Sequence, residues 1–353
     1  MSETQSNADK SHDDELRSWI RALPKPELHV HLEGTMLPQS YARIASRNGL
    51  DVGDDPDALY RCNDFKSFLI CFLTVVNALR TPQDFAELAS EYLARAAADG
   101  VRHVELFVSP ATQRKFVPAL DFTAVLRSIN EAADQAEREH GVSSLLIIDM
   151  VRNLGEEEAL RDIALARTCR DQGVIGVGLG GDEARFPARD FQRAFAQARE
   201  HGLRRTAHAG EAAGAQSIVD AVDVLNAERI GHGVAARGRA DVQDLLRERG
   251  VTIDACPTSN EFTGAVSAGE AHPLPEWIAA GVSVSLSSDD PAFFNASVSD
   301  EYMKAAGLGL NRRALAAIAK NGFAASFAGG ENIRKWSDEV DDYVKRSELT
   351  ARG

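Results

Sequence analysis

The chain has 353 residues, of which 44% are hydrophobic and 26% are charged, and its formal net charge is −14. This composition is typical of a globular protein that is large enough to bury a core without disulfide bonds. The acidic balance argues against binding to nucleic-acid backbones, which requires clustered Lys and Arg, and disfavours anionic membranes.

The two ends of the chain are polar and charged. Residues 1–15 are expected to form a disordered tail, and they lack the apolar run of a signal peptide. No segment approaches the roughly 18 apolar residues of a membrane span, and the four cysteines show no CxxC spacing. We therefore expect a cytoplasmic protein with reduced thiols, a single domain over residues 16–345 and a frayed end over 346–353.

Eight short apolar segments recur along the chain and alternate with longer segments whose apolar residues have helical spacing. The predicted strands are 27–32, 101–108, 145–151, 174–179, 204–208, 229–232, 251–255 and 282–286. Near-continuous apolar and β-branched runs of this kind indicate parallel strands that are buried on both faces. Predicted helices, such as 81–99 and 190–201, lie between them.

Polar or glycine-rich clusters follow most of these strands, and they decide between two α/β architectures. The clusters are LEG, SP, GDE, HAGE, HG, PTSN and SDD. Reactive residues at the carboxyl ends of many strands are the layout of a barrel active site, whereas an open sheet would concentrate them at one switch point. We predict a (β/α)8 TIM barrel with extra helices.

The first candidate metal ligands are His29 and His31, in ELHVHLEG. Residues two apart on a strand face the same side, so both imidazoles can reach one metal ion. Two surface histidines on an exposed strand would look identical. The apolar residues Leu28, Val30 and Leu32 point to the other side, which favours a buried strand.

Two further histidines and three carboxylates end other strands. His208 and Glu211 stand in RTAHAGE, and the alternatives are a hydrogen-bonded core histidine and a carboxylate at a helix N-terminus. His232 stands between glycines in RIGHG, where the alternative is a histidine in a Gly-rich loop. Asp289 and Asp290 repel each other unless a cation or a donor lies between them, and the alternative is an N-cap before Pro291.

Considered together, these residues favour a metal site. His29, His31, His208 and Asp289 form a plausible His3Asp zinc shell with room for water, which the metal would acidify toward neutral pH. Glu211 and His232 are then available for acid–base chemistry beside it.

The motifs ELHVHLEG, LGGDE, HAGE, RIGHG, CPTSN, FTGA and SLSSDDP, in this order, resemble the adenosine deaminase family of the amidohydrolase superfamily. The resemblance runs from about residue 23 to 327. It implies an amidohydrolase-type TIM barrel with one Zn²⁺ ion per chain, which His29, His31, His208 and Asp289 would hold.

The resemblance also implies roles in purine deamination. Glu211 would deliver a proton to ring nitrogen 1, and His232 would help to take a proton from the water and orient it. Asp290 would hold ring nitrogen 7 and the backbone N–H of Gly181 would meet ring nitrogen 3. His31 and Glu33 complete the expected substrate-binding residues, which are His31, Glu33, Gly181 and Asp290. The products would be a 6-oxopurine and ammonia.

Three positions depart from the adenosine-specific pattern. Glu33 stands where nucleoside-specific members often have Asp, which contacts the ribose 5′-hydroxyl. Gly231 stands where adenine deaminases tend to carry Asp, and Phe107 replaces a common Arg. We expect a 6-aminopurine nucleoside, because Gly231 would leave space beside His232 and FTGA is adenosine-like. Adenine and a modified adenosine such as aminodeoxyfutalosine remain the alternatives.

Two other functions are considered. A two-metal amidohydrolase would need a bridging Lys or an equivalent Glu at the fourth strand, and GGDE offers no Lys there. A non-catalytic binding barrel would have lost a ligand or one of the two acid–base residues, and none is lost. The expected partner is a small purine, and the oligomeric state is open.

Overall fold

The fold is an eight-stranded parallel barrel, seen in a computed structural model that describes residues 3–62 and 65–350. The strands are β1 Lys25–His31, β2 Val101–Val108, β3 Ser143–Val151, β4 Val174–Gly180, β5 Arg204–Ala209, β6 Arg229–His232, β7 Thr252–Ala255 and β8 Val284–Leu286. They pair in chain order, and each pair is parallel. Each strand coincides with a predicted one to within a few residues.

The barrel is closed by the residues that follow β8. His31 donates its backbone N–H to the carbonyl of Asp289 at 2.9 Å, and the N–H of Asp289 donates to the carbonyl of His29 at 3.1 Å. The first strand therefore lies beside the last segment, which confirms the predicted TIM barrel. These backbone hydrogen bonds also place Asp289 next to His29 and His31, so that three expected metal ligands are neighbours.

Helices surround the barrel and lie between the strands. They are α1 Glu3–Ala22, α2 Pro38–Arg47, α3 Phe65–Ala78, α4 Pro82–Ala98, α5 Pro110–Phe116, α6 Phe122–His140, α7 Glu156–Thr168, α8 Gln192–Glu200, α9 Ala215–Asp223, α10 Ala240–Arg249, α11 Pro257–Phe262, α12 Leu274–Ala279, α13 Pro291–Phe294, α14 Val298–Gly307, α15 Arg312–Ala325 and α16 Gly330–Thr350. The capping box of Thr81 and Asp84 fixes the start of α4, in agreement with the helix predicted over 81–99.

The chain termini differ from the expectation. Helix α1 begins at Glu3, so residues 3–15 are helical rather than a disordered tail. The segment contains no Gly or Pro to end a helix, and the buried side chains of Trp19 and Ile20 anchor its last turns. At the other end α16 continues through residue 350, beyond the expected start of fraying at 346. Residues 1–2 and 351–353 lie outside the described part of the chain.

A buried charge network fills the barrel on the side of the strand starts. Arg229, the first residue of β6, donates to Glu105 at 2.6 Å and to Asp254 at 2.8 Å. Its guanidinium carbon lies 3.9 Å from the centre of the Phe327 ring. Both carboxylates are completely buried and paired with Arg229, so these charges compensate one another and are not available for chemistry. The polar residues at the other end of the barrel have a different arrangement.

Candidate active site

The four expected metal ligands meet at the carboxyl ends of the strands. His29 and His31 belong to β1, His208 belongs to β5, and Asp289 follows β8. One donor atom from each residue lies within 4.8 Å of the others. The structure therefore brings together four residues that are separated by up to 260 positions in the sequence.

The distances between these donor atoms match those around a small divalent cation. Nε2 of His208 lies 3.1 Å from Nε2 of His29 and 3.3 Å from Nε2 of His31. Oδ1 of Asp289 lies 3.5 Å and 3.4 Å from the same two nitrogens of His29 and His31. Four ligands placed tetrahedrally at about 2.0–2.1 Å from zinc are about 3.3 Å apart. The donor set therefore has the size and chemistry of a site for a small divalent cation.

Neighbouring groups orient two of the ligands toward this point. Nδ1 of His208 faces the carbonyl of Leu179 at 3.2 Å, so Nδ1 carries the proton and Nε2 presents a lone pair. Ser259 donates its hydroxyl to Oδ2 of Asp289 at 2.7 Å, and Oδ1 is left to face the histidines. Ser259 was not singled out from the sequence, although it lies in the CPTSN motif.

The charges of the site also suit a cation. Burial lowers the pKa of His31, but Asp289, Asp290 and Asp149 outweigh this effect and raise it to about 10. Burial and the other imidazoles lower the pKa of His208 well below its usual value. Carboxylates that stabilise a positive charge on His31 would also stabilise a bound cation, so the residues present fit a divalent metal.

Two residues of the site have strained backbones. His232 has a φ of 67° and Asp289 has a φ of 64°, which is the left-handed region that non-glycine residues seldom adopt. Strain of this kind costs about 1–3 kcal/mol per residue and persists where the surrounding structure imposes it. Both residues turn the chain sharply at the end of a strand, so that their side chains point into the barrel mouth.

The structure corrects the interpretation of Gly231. A Cβ atom at this position would lie 2.5 Å from Cε1 of His29 and 2.9 Å from its Nδ1. The space expected beside His232 is therefore filled by the His29 ring. Gly231 allows His29, an expected metal ligand, to approach the backbone and does not make room for a substrate.

Glu211 and His232 lie together beside the four ligands. Oε2 of Glu211 is 3.5 Å from Nε2 of His232, which is completely buried and has no hydrogen-bond partner among the described residues. Burial raises the pKa of Glu211, which favours the protonated form of its carboxyl group. These two residues provide a proton donor and a ring nitrogen beside the cation site.

Glu183 shapes the loop that carries Glu211, a role that the sequence did not reveal. Its carboxylate accepts the backbone N–H groups of Glu211, Ala212 and Ala213 at 3.0, 2.8 and 3.1 Å. It also accepts the N–H of Gly210. Four donors that converge on one buried carboxylate fix the turn between His208 and Glu211. The only signal in the sequence is the acid at the end of LGGDE.

Asp290 and Gly181 lie on opposite sides of the same mouth. Burial, and then the adjacent Asp289 carboxylate, raise the pKa of Asp290 well above its usual range. Its Oδ1 atom is buried without a partner among the described residues, and a Cβ at Gly34 would lie 1.9 Å from that atom. Gly181 follows β4 with a φ of 96°, a conformation that requires glycine.

Glu33 does not lie at the mouth as a free acceptor. Its side chain is 1% exposed, and Oε1 accepts the backbone N–H of Ser109 at 3.1 Å. Burial raises the pKa of this carboxyl group. Glu33 thus joins the ends of β1 and β2, and it does not cap the short 3-10 helix that begins there.

Asp149 and Phe107 line the same region and were not predicted as site residues. Oδ2 of Asp149 lies 3.7 Å from Nδ1 of His31, and burial raises the pKa of Asp149 to about 6. The ring of Phe107 lies 4.8 Å from that of His29 and 5.2 Å from that of His31. A side chain as large as Arg at position 107 would displace these contacts.

A closed parallel barrel with three histidines and an aspartate at its mouth, beside a partly buried acid, defines a metal-dependent hydrolase of the amidohydrolase type. Comparison with known proteins makes this more specific. The family model for adenosine deaminase matches residues 24–343. The chain belongs to the adenosine deaminase family.

Three similar proteins illustrate the range of the family. The adenine deaminase of Ralstonia pickettii is 38% identical over 335 residues, which cover 92% of this chain and 96% of that protein. The aminodeoxyfutalosine deaminase of Acidothermus cellulolyticus is 38% identical over 307 residues, with coverage of 84% and 86%. A Burkholderia ambifaria amidohydrolase solved with bound Zn has a TM-score of 0.87 at 26% identity, with coverage of 94% of both chains.

This chain is therefore a hydrolytic deaminase of that family, which acts on a C–N bond. Within the described residues, no helix is long and apolar enough to cross a membrane.

Proposed function

We propose that this chain removes the 6-amino group of adenine by zinc-dependent hydrolysis, with hypoxanthine and ammonia as products. The observation that carries the proposal is the convergence of His29, His31, His208 and Asp289 beside Glu211 and His232. A zinc ion held by the first four residues would supply Lewis acidity, which makes water a nucleophile at neutral pH. One such ion per chain is expected.

The residues around this point match the hydrogen-bonding needs of a purine. Ring nitrogens 1, 3 and 7 carry lone pairs, so each of them needs a donor. We assign the carboxyl of Glu211 to nitrogen 1, the N–H of Gly181 to nitrogen 3 and the carboxyl of Asp290 to nitrogen 7. Raised pKa values favour the protonated, donating form of both acids.

Glu211 has the central role in proton transfer. Protonation of nitrogen 1 draws electrons away from carbon 6 and makes that carbon electrophilic. The Glu211 carboxyl is positioned to give this proton and to carry another to the departing amino group. Nε2 of His232 lies 3.5 Å from Oε2 of Glu211, and we assign to His232 the orientation of the attacking oxygen.

The choice of adenine over a nucleoside rests on the environment of Glu33. Its carboxylate is buried against the N–H of Ser109, so it is not extended toward a ribose hydroxyl. The filled space beside Gly231 removes one argument for a nucleoside. The Ralstonia pickettii adenine deaminase, with 96% of its length covered, supports the same substrate.

A 6-aminopurine nucleoside, including a modified one such as aminodeoxyfutalosine, is the second candidate. The observation that favours it is the similarity to the Acidothermus cellulolyticus aminodeoxyfutalosine deaminase, together with the FTGA segment at 262–265. Both candidates share the deaminated ring and differ only in the substituent on nitrogen 9.

The test is an ultraviolet-absorbance assay of the zinc-loaded protein on adenine, adenosine, deoxyadenosine, aminodeoxyfutalosine and N6-methylated purines. Adenine should give the highest kcat/KM. A higher value on a nucleoside would establish the second candidate, and no turnover of any purine by metal-replete protein would refute the proposal. A Glu211→Gln preparation serves as the control for contaminating deaminases.

A further inference from the structure

A chain of buried hydrogen bonds leads away from His232 on the side opposite to Glu211. Nδ1 of His232 lies 3.0 Å from Nδ2 of Asn260, and Oδ1 of Asn260 lies 3.1 Å from Nε2 of His272. The backbone N–H of Leu274 donates to Nδ1 of His272 at 3.2 Å. His232 and Asn260 are completely buried, and His272 is 3% exposed.

The last bond fixes the direction of the whole chain, because a backbone N–H can only donate. Nδ1 of His272 must therefore accept, and its proton lies on Nε2. Burial lowers the pKa of His272 to about 3, so the ring is neutral and carries one proton. Nε2 of His272 consequently donates to Asn260.

The orientation of the Asn260 amide follows. Its oxygen must face the donor on His272, and its NH2 group must face Nδ1 of His232. If the amide were reversed, its NH2 group would face the Nε2–H donor of His272. His272 cannot relieve this by moving its proton to Nδ1, because the N–H of Leu274 already donates to Nδ1. Nδ1 of His232 thus accepts a hydrogen bond, and the proton of its neutral ring lies on Nε2.

We propose that Asn260 and His272 are positioning residues, which hold His232 in the tautomer with its proton on Nε2 and make it a hydrogen-bond donor to the reacting oxygen. His232 then orients that oxygen but does not remove its proton, which passes to the Glu211 carboxylate instead. The Nε2 atom is buried, lies 3.5 Å from Oε2 of Glu211 and has no hydrogen-bond partner among the residues that the structure describes, so it is available to donate to a ligand oxygen. The donor role rests on the proposed function, whereas the tautomer itself does not.

The tautomer can be measured without substrate. Nitrogen-15 NMR of protein labelled at its nine histidines distinguishes protonated from unprotonated ring nitrogens. In zinc-loaded wild-type protein, His232 should show an unprotonated Nδ1 and a protonated Nε2, and His272 should show the same pattern. A protonated Nδ1 on neutral His232 would overturn the proposal, whatever the substrate is.

Variants connect the tautomer with turnover. Asn260→Asp places an acceptor against Nδ1 of His232, so Nδ1 should become protonated and kcat should fall by about 10²-fold, with KM changed by only a few-fold. His272→Gln retains a donor toward Asn260 and should keep the wild-type tautomer and most of kcat, whereas His272→Leu should not. Asn321→Asp, on the exposed face of α15, is the control for added charge.

Across these variants kcat should follow the fraction of His232 that carries its proton on Nε2. A variant that loses this proton and retains wild-type kcat would overturn the donor role. If no purine is turned over, the NMR result still decides the tautomer, so failure of the proposed function is distinguished from failure of the inference.

Discussion

The packing of Gly231 against His29 leads to a quantitative prediction for Gly231→Ala. The new Cβ would lie 2.5 Å from Cε1 of His29 and 2.9 Å from its Nδ1. Ordinary carbon contacts are about 3.5 Å or longer, so the ring must move by about 1 Å. The backbone of Gly231 does not have a positive φ, and alanine can adopt it.

A movement of this size matters because metal–ligand distances tolerate only about 0.2 Å. We expect Gly231→Ala to fold normally and to bind zinc at least 10–100-fold more weakly, the range seen when groups that orient a ligand are changed. The measurement is zinc competition with a chromogenic chelator, accompanied by circular dichroism and by kcat/KM at saturating zinc.

Gly214→Ala is the matched control, since a Cβ there meets nothing within 4 Å and its φ is −74°. It should bind zinc as the wild type does. Unchanged zinc affinity in Gly231→Ala would refute the argument that glycine is needed for the approach of His29. Loss of folding in both variants would show that the effect is not specific to the ligand.

Four further predictions follow from the same geometry. His208→Ala should retain neither zinc nor activity by elemental analysis and assay, since an open shell cannot hold the ion; close to one equivalent of metal in this variant would contradict the site. Glu211→Gln should retain zinc and fold but lose about 10²–10⁴-fold in kcat, and a loss of only a few-fold would remove Glu211 from proton transfer. Glu183→Gln turns an amide donor toward backbone donors, which should cost about 1–3 kcal/mol and lower Tm by roughly 1–4 °C for 353 residues, whereas Asp182→Asn, at the half-buried neighbouring position, should leave Tm unchanged. Glu33→Ala should reduce kcat/KM for adenine and adenosine equally, because it unpairs the Ser109 N–H; a much larger loss on adenosine would mean that Glu33 contacts the sugar.

Local patterns in the sequence were sufficient to predict the strands and to favour a barrel over an open sheet. Buried parallel strands have near-continuous apolar runs, and polar clusters after these runs mark the end of the barrel where reactions occur. The two-residue spacing of His29 and His31 placed both on one face of β1, because side chains alternate along a strand. These properties depend on neighbours in the chain, so they can be predicted from it.

The polar N-terminal segment shows where local patterns were insufficient. Residues 3–15 have the composition of a disordered tail, yet α1 begins at Glu3. Trp19 and Ile20 at its end are buried in the core, and the ring of Trp19 lies 5.6 Å from that of Tyr343 in α16. That packing belongs to the tertiary structure, and no composition argument contains it.

The details of the site were decided by contacts between distant parts of the chain. The closeness of Gly231 to His29, of Glu33 to Ser109 and of His232 to Asn260 depends on how eight strands close into a barrel. The sequence by itself determined which residues could bind a metal and transfer a proton. Only the tertiary structure decided which atom each residue presents, because barrel closure and strand register fix the distances on which hydrogen bonds and metal bonds depend.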